Sequence, residues 1–367
     1  MKEQGNNLPT NVTQRNSGLD LMRSIAILIV LFQHSLLFYP KNETQGFLSA
    51  LINLFDGVLI FFVLSGFLIG TILLRIVIEK EVSFASLLTF WKRRWLRTIP
   101  SYYLVLTIVL LLSIFSNTND SLLSTVSYYI FLQNFNLELS KFYPEAWSLS
   151  IEEWFYVLFP LSLLLLSNFF QKNQTILIGM LIFLLLPLLF RFIVGASYPD
   201  FEFRKLVIYR LDAIVYGVLF AFIKFKNNLF FFKSKYYLFS LGMLLLGIIS
   251  FLKFKNNYSN FTELFYSLEA LSYCLSIPVF YSLNFSQKSR IGQLIYYISS
   301  RSYLFYLINL SLVLGFIIPF FKNQFQVLNQ FPFALFLLFW IINLVLAELI
   351  YQFFERPILA WRDKNVT

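Results

Sequence analysis

Long runs of apolar residues without a charged side chain recur along the chain. Six runs contain 18 residues or more: Gly57–Leu74, Trp154–Gln171, Asn173–Phe190, Ala270–Gln287, Ser302–Phe321 and Asn323–Ala347. Four others are shorter or interrupted: Ser24–Tyr39, Ser101–Ser116, Leu206–Ile223 and Tyr236–Leu252. An α-helix rises about 1.5 Å per residue and needs about 20 apolar residues to cross the hydrocarbon core of a membrane. The pattern therefore predicts helices that span a membrane.

The predicted fold class is an all-α, polytopic membrane helix bundle with about ten transmembrane helices. The predicted spans are residues 21–39, 50–76, 100–116, 147–167, 175–194, 206–223, 236–252, 264–284, 302–321 and 332–354. The segment Leu122–Phe135 is apolar but short, so it is predicted to be a surface or re-entrant helix. The first span lacks a small-residue cleavage pattern and is not predicted to be a cleaved signal.

The basic residues indicate how the bundle is oriented. If the N-terminus is cytoplasmic, the segments that alternate to the inner side hold 20 of the 29 Lys and Arg residues. Cytoplasmic segments carry such an excess, so both termini are predicted to be cytoplasmic. We expect one membrane domain, residues 17–358, between a disordered polar tail at residues 1–16 and a short cytoplasmic tail at residues 359–367.

Composition narrows the class of protein further. The 367 residues are 58% hydrophobic and only 13% charged, whereas an ordinary soluble domain is about 25% charged. A disordered chain, a coiled coil and a disulfide scaffold are excluded. The net charge is +10, and most of the basic residues lie in the segments predicted to be cytoplasmic. The charge therefore indicates membrane topology and not a nucleic-acid partner. One Cys and one His permit no intrachain disulfide and no His-based metal cluster, and no metal is predicted.

Ionisable residues inside membrane spans are costly, so each is a candidate functional residue. Asp20, Arg23 and His34 are spaced to face one side of the first helix, with Arg23 and His34 about 16 Å apart along its axis. Histidine has a pKa that suits proton transfer near neutral pH. The alternative is a hydrogen-bonded structural histidine beside an arginine that reaches towards the membrane surface.

Two other pairs lie near predicted span ends. Arg94 and Arg97 share a helix face before Pro100, which is predicted to begin the third span. Arginine binds phosphate well, so the pair is a candidate phosphate clamp, although positive-inside anchoring also explains it. Ser148 and Glu152 share a face at the predicted outer start of another span, where helix capping is the alternative to a functional role.

The remaining signals lie in the second and sixth predicted spans. Arg210 and Asp212 open the sixth span and are either a structural pair or face a substrate. Gly66 and Gly70 are four residues apart, a spacing that predicts close packing against another helix.

Taken in order, these segments resemble the acyltransferase-3 family of integral membrane O-acyltransferases, which includes O-antigen and polysaccharide O-acetylases. The resemblance runs from about Leu19 to Ile358. The matching motifs are Arg23-x10-His34, Phe61-Phe-Val-Leu-Ser-Gly66-Phe-Leu, Arg94-x-x-Arg97, Ser148-x-x-x-Glu152, Arg210-Leu-Asp212-Ala and Phe354-Glu355-Arg356-Pro357. Asn309 departs from the pattern, because many members have a histidine there. Many relatives also carry a fused extracytoplasmic domain, so this chain is expected to work alone or with a separate extracytoplasmic partner.

The resemblance implies transfer of an acyl group, most often acetyl, from cytoplasmic acyl-CoA to a hydroxyl of a cell-envelope glycan. Lipopolysaccharide O-antigen or an exopolysaccharide is the expected acceptor, and the bacterial inner membrane the expected location. His34 is the expected general base or acyl-carrying nucleophile. The implied catalytic residues are His34, Arg23 and Glu152, the donor-binding residues Arg94 and Arg97, and the substrate-binding residues Ser148, Arg210, Asp212 and Asp20.

Three alternative functions stay open at this point. A transporter or flippase for an acyl carrier or a lipid-linked sugar would show inverted repeats and broken helices. A different class of membrane acyltransferase would need long amphipathic cytoplasmic helices. In a structural scaffold of an envelope complex, His34 would be dispensable.

Overall fold

The computed structural model describes residues 15–39, 54–79, 82–116, 122–135, 142–194, 200–254 and 262–366. All regular structure in these ranges is helical. The α-helices are α1 (Ser17–Ser35), α2 (Gly57–Glu79), α3 (Phe84–Phe115), α4 (Leu122–Tyr129), α5 (Trp147–Ser167), α6 (Lys172–Val194), α7 (Asp200–Lys205), α8 (Leu211–Lys226), α9 (Asn228–Lys233), α10 (Lys235–Phe254), α11 (Thr262–Cys274), α12 (Ile277–Ser282), α13 (Arg290–Ile308), α14 (Ile318–Gln324), α15 (Pro332–Ile350) and α16 (Arg356–Asn365). Asn309–Ile317 and Tyr351–Glu355 are π-helical. Leu36–Phe38, Pro144–Ala146 and Gln326–Gln330 are 3₁₀ turns. Residues 1–14 of the predicted polar tail lie outside the described ranges.

The predicted membrane helix bundle is confirmed. Within the described ranges, nine helical stretches are long and apolar enough to cross a membrane: Ser17–Phe38, Gly57–Glu79, Phe84–Phe115, Pro144–Ser167, Lys172–Val194, Lys235–Lys253, Glu263–Ser282, Arg290–Gln324 and Pro332–Asn365. They correspond to nine of the ten predicted spans. The sixth predicted span, 206–223, corresponds to α8, whose 16 residues cover only about 24 Å. The short helix expected within Leu122–Phe135 is α4, which has eight residues.

Local capping sequences set where the helices begin. The Asn16 side chain accepts a hydrogen bond from Leu19 N at 2.9 Å and caps α1. Ser83 and Ser86 form a capping box that begins α3 at Phe84, which satisfies backbone N–H groups that a helix start leaves without partners. Pro100 therefore lies inside α3, so the helix that contains the third predicted span begins at Phe84 and not at Pro100. The basic segment 92–97 belongs to the same continuous helix.

Glycines allow α2 and α8 to approach closely. A Cβ atom on Gly66 would lie 1.8 Å from the carbonyl oxygen of Ile214, and one on Gly217 would lie 2.1 Å from a backbone oxygen of α2. A Cβ on Gly70 would lie 2.9 Å from the backbone of α8. The predicted close packing at Gly66 and Gly70 is therefore confirmed, with α8 as the partner helix.

Buried apolar residues form two clusters that position the site. The first cluster is centred on α2, α5 and α8, and the second on α3, α13 and α15. Residues of α1 contribute to both clusters. Between the clusters, α1, α2, α3, α5 and α13 surround an internal cavity.

Candidate active site

The cavity has a volume of about 1680 Å³ and a strongly basic lining. Eight basic side chains line it: Arg15, Arg23, Arg75, Arg93, Arg94, Arg97, Lys224 and Arg362. Two carboxylates, Asp20 and Glu152, accompany them. We call this space the basic cavity. Because positive charge exceeds negative charge inside low-dielectric walls, the cavity attracts an anionic ligand.

Asp20 and Arg23, two of the three candidate residues on the first helix, belong to one polar cluster near the start of α1. Asp20, which is buried, pairs with Arg15 Nε at 2.5 Å and with Arg23 Nη1 at 3.4 Å. The Ser299 hydroxyl of α13 donates to Asp20 Oδ1 at 2.8 Å. Asp20 therefore holds Arg23 at the cavity wall. The predicted common face of Asp20 and Arg23 is confirmed by this ion pair.

Arg94 and Glu152 meet across α3 and α5. Arg94 Nη2 lies 3.3 Å from Glu152 Oε2, and it also donates to the Tyr156 hydroxyl. Tyr156 in turn donates to Glu152 Oε2 at 2.7 Å, and the Arg94 guanidinium lies 4.3 Å from the centre of the Tyr156 ring. The Ser65 hydroxyl of α2 lies 2.5 Å from the Tyr156 hydroxyl. Arg94 is thus held largely by internal partners.

Arg97, by contrast, faces the cavity without such partners. Its side chain is exposed within the cavity lining. It makes no hydrogen bond or ion pair with any residue in the described ranges. Arg75 of α2 has the same two properties. Lys224 of α8 lies over the Tyr281 ring at 4.3 Å, so these three cations are available to an anionic ligand.

His34 is linked to the lining of the basic cavity through residues of α13. Ser148 Oγ donates to the Tyr306 hydroxyl at 2.8 Å, and both residues line the cavity. The Tyr306 hydroxyl donates to the carbonyl oxygen of Glu145 at 2.8 Å. One turn after Tyr306, the Asn309 side chain contacts His34 Nδ1. His34 itself is not among the residues that line the cavity, and it lies on the same continuous helix as Arg23.

The Ser148 side chain does not cap α5. That helix begins at Trp147, and its N-cap residue, Ala146, makes no side-chain capping hydrogen bond. The capping alternative for Ser148 is therefore wrong. Its hydroxyl is directed to α13 instead, because the turn Pro144–Ala146 packs against that helix.

Arg210 and Asp212 lie away from the basic cavity. Asp212 is fully buried and pairs with the fully buried Arg191 of α6 at 2.8 Å. The Ser267 hydroxyl also donates to Asp212 Oδ2 at 2.5 Å. Arg210 lies over the Tyr266 ring at 4.7 Å. Neither residue is among those that line the cavity, so the structural alternative fits Asp212, and both residues stay outside the site proposed below.

A polar cluster stabilises the start of α2, outside the membrane-spanning stretches. Asp56 accepts hydrogen bonds from Val58 N at 3.0 Å and Leu59 N at 3.1 Å. It also pairs with Arg204 at 2.6 Å. Burial alone would raise the Asp56 pKa, but the Arg204 charge and the Leu59 N–H together hold that pKa below its ordinary value. The same pair raises the pKa of Arg204.

The site contains residues that sequence reasoning missed. Tyr156 lies four residues after Glu152, and residues at this spacing share a helix face, so the sequence contained a signal for their contact. Arg75 and Lys224 had been counted only as orientation signals, although each ends a predicted apolar span. Glu145 and Tyr306 carry no local signal, because only the tertiary structure brings them together.

Comparisons with known proteins show which sequences this chain is similar to. A family model described as an acyltransferase domain, Acyl_transf_3, matches residues 16–351. The O-acetyltransferase OatA of Staphylococcus aureus strain NCTC 8325 is 28% identical over 368 residues, which is 93% of this chain and 57% of that protein. The putative O-acetyltransferase SAR0937 of strain MRSA252 is 26% identical, over 95% of this chain and 59% of its own length. The chain thus spans less than two thirds of these relatives. No solved structure matches it.

Proposed function

This chain belongs to the acyltransferase 3 family, and we propose from that membership that it is a membrane O-acetyltransferase. It would transfer an acetyl group from acetyl-CoA to a hydroxyl of a cell-envelope glycan. One observation carries the proposal: the basic cavity is lined by Arg75, Arg97 and Lys224 and also by Tyr306, and one turn after Tyr306 the Asn309 side chain contacts His34. The proposed location is the bacterial cytoplasmic membrane, with both termini cytoplasmic, so in this proposal α8 crosses the membrane together with the nine longer stretches.

The cations of the basic cavity would bind the phosphate groups of the donor. Arg97 and Arg75 make no hydrogen bond or ion pair with a described residue, and the described contact of Lys224 is with the Tyr281 ring, so a phosphate would displace no described carboxylate from these cations. Arginine also offers two parallel N–H donors to phosphate oxygens. Arg94, which was expected to do the same, is engaged by Glu152 and Tyr156, so we assign it to the wall that shapes the site.

The acetyl group would be delivered to the end of the cavity beside Ser148 and Tyr306. Arg23 and His34 are separated by about 16 Å along α1, which is comparable with an extended pantetheine arm. Donor phosphates held near the start of α1 would therefore place the thioester close to His34.

We propose that His34 acts as a general base. It would take the proton of the acceptor hydroxyl while that oxygen attacks the thioester carbonyl carbon. The C–S bond then breaks, and the proton passes from His34 to the departing CoA thiolate. Arg23, which lines the basic cavity near the start of α1, would help to hold the phosphates of the donor.

The proposal is tested by following the acetyl group. Membranes containing wild type, His34→Ala or Lys172→Ala at matched levels receive acetyl-CoA labelled in the acetyl carbon, and envelope glycans are analysed by mass spectrometry. Lys172 is an exposed control whose Nζ atom bonds to the Ile78 carbonyl oxygen at 2.8 Å, outside the cavity. Wild type and Lys172→Ala should add labelled acetyl groups, whereas His34→Ala should not.

Two outcomes would contradict the proposal. Equal glycan labelling with His34→Ala would remove His34 from the mechanism. An absence of both glycan labelling and CoA release from wild-type membranes that contain the envelope glycan would refute the acetyltransferase and favour the transporter or scaffold. A burst of CoA release without acceptor would instead identify an acetyl-His34 intermediate.

A further inference from the structure

The side-chain amide of Asn309 has a fixed orientation. Its Nδ2 atom donates to the carbonyl oxygen of Phe305 at 2.8 Å and to that of Tyr306 at 2.8 Å. An amide nitrogen has two N–H donors, and both are used here. The opposite orientation would place the Oδ1 atom against two carbonyl oxygens, which repel it. The Oδ1 atom therefore faces His34 Nδ1.

This contact has a consequence for the imidazole ring of His34. Oδ1 is only an acceptor, so Nδ1 has to carry the hydrogen that joins them. A neutral imidazole carries one ring N–H, which leaves Nε2 with a free lone pair. We propose that Asn309 is a positioning residue that fixes His34 in the Nδ1–H tautomer and so reserves Nε2 as the base. This inference rests on the proposed function, in which His34 accepts a proton.

The backbone around Asn309 is held by the turn Pro144–Ala146. In a regular α-helix the Ser311 N–H would donate to the Leu307 carbonyl oxygen. Here Ser311 N donates to Glu145 Oε1 at 2.9 Å, and the Leu307 carbonyl oxygen accepts from the Tyr143 hydroxyl at 2.8 Å. The Ser311 N–H group and the Leu307 carbonyl oxygen are therefore both hydrogen-bonded to side chains of the segment Tyr143–Glu145.

Glu145 makes two further hydrogen bonds to the helix that carries Asn309. Its second carboxylate oxygen accepts from the Ser311 hydroxyl at 2.5 Å, and its carbonyl oxygen accepts from Tyr306 at 2.8 Å. Glu145 and Asn309 are both buried. The π-helical segment that begins at Asn309 is therefore fixed on both sides of the amide, which keeps Oδ1 against the imidazole.

The chain offers a direct test because His34 is its one histidine. Protein labelled with ¹⁵N only in histidine gives two ring nitrogen signals, which distinguish a protonated from an unprotonated nitrogen. We expect the neutral wild type to show a proton on Nδ1 and none on Nε2. A wild-type spectrum with the proton on Nε2 would overturn the inference, whatever the variants do.

Two variants of Asn309 test whether the tautomer of His34 affects kcat. Asn309→Leu keeps the size but removes the acceptor, so kcat should fall about 10- to 100-fold, as for other residues that orient a reacting histidine. The KM for acetyl-CoA should stay within about twofold, because donor phosphates do not contact Asn309 in the proposed mode. Asn309→Gln keeps both the amide acceptor and the amide donors and adds one methylene, so it should retain the Nδ1–H form and recover part of kcat.

Asn343→Leu is the matched control. Asn343 is a buried amide of α15 whose Nδ2 atom donates to the Phe339 carbonyl oxygen at 2.8 Å, and it makes no contact with His34 in the described ranges. This variant should leave both the tautomer and kcat unchanged. An Asn309→Leu protein with wild-type kcat would refute the positioning role. If the tautomer is as expected but no acceptor is acetylated, the proposed function fails and the structural inference stands.

Discussion

Removing the Arg97 guanidinium tests the assignment of the donor site. Because Arg97 forms no internal hydrogen bond or ion pair within the described ranges, Arg97→Ala should not destabilise the bundle. A hydrogen bond to a charged group contributes about 1.5–3 kcal/mol. At about 1.4 kcal/mol for each factor of ten, the KM for acetyl-CoA should rise about 10- to 150-fold while kcat changes little.

Arg94→Ala should behave differently although it alters the same sequence motif. Arg94 and Glu152 retain only 20% and 14% exposure, and Tyr156 joins them. Removing Arg94 leaves a carboxylate without its cation, which should lower the free energy of unfolding by about 3 kcal/mol, the low end for a broken buried pair. We also expect kcat to fall, because the wall beside the acetyl group is disturbed.

The assay is acetyl-CoA-dependent release of CoA thiol by purified protein supplied with extracted envelope glycan as acceptor, with kcat and KM fitted separately and unfolding followed in the same detergent. Arg290→Ala is the control, since Arg290 is also exposed but does not line the basic cavity. A KM for Arg97→Ala within twofold of wild type would refute the phosphate assignment. If KM and kcat change in the same way in Arg97→Ala and Arg94→Ala, the two arginines act as one unit.

Three further predictions concern the scaffold. Gly66→Ala places a methyl group 1.8 Å from a carbonyl oxygen and should lower the unfolding free energy by about 1–3 kcal/mol or more. Gly247→Ala, with no neighbouring atom within 4 Å, should be neutral or stabilising in the same thermal denaturation. Asp212→Ala leaves the fully buried Arg191 without its carboxylate partner and should lower the free energy of unfolding by about 3–5 kcal/mol. The folded fraction of this variant, isolated by size exclusion, should nevertheless keep the wild-type KM for acetyl-CoA. A raised KM would support a substrate-binding role for Asp212. Because the folded pKa of Asp56 is lowered, its stabilisation should be complete above the ordinary carboxyl pKa of about 4. It should disappear as pH falls through the lower folded pKa, so the melting temperature of Asp56→Asn should depend less on pH there than that of wild type.

The sequence alone determined the class of fold and most of the membrane helices. Burial of an uncharged run of about 20 residues in hydrocarbon is a local property, so it can be read without knowing what the helix contacts. The same holds for the shared face of Asp20 and Arg23, which follows from helix geometry. The sequence also identified His34, because a lone ionisable residue in an apolar run is costly wherever it packs.

Helix limits were less certain where local signals competed. Pro100 was read as the start of a span, although the capping box at Ser83 and Ser86 begins α3 earlier. A proline is tolerated inside that helix because tertiary packing, not local propensity, supplies most of the stability of a helix. The packing of α8 against the glycines of α2 is likewise a tertiary contact that its hydropathy does not indicate.

Only the tertiary structure decided which charges are free to act. Arg94 and Arg97 are three residues apart in one motif, but Glu152 engages the first and leaves the second open to the cavity. Asp212 finds its partner, Arg191, on another helix. The amide of Asn309 is oriented by carbonyl groups within its own helix, yet the histidine that it faces lies 275 positions away. Partner choice depends on contacts between distant segments, and no local pattern along the chain encodes it.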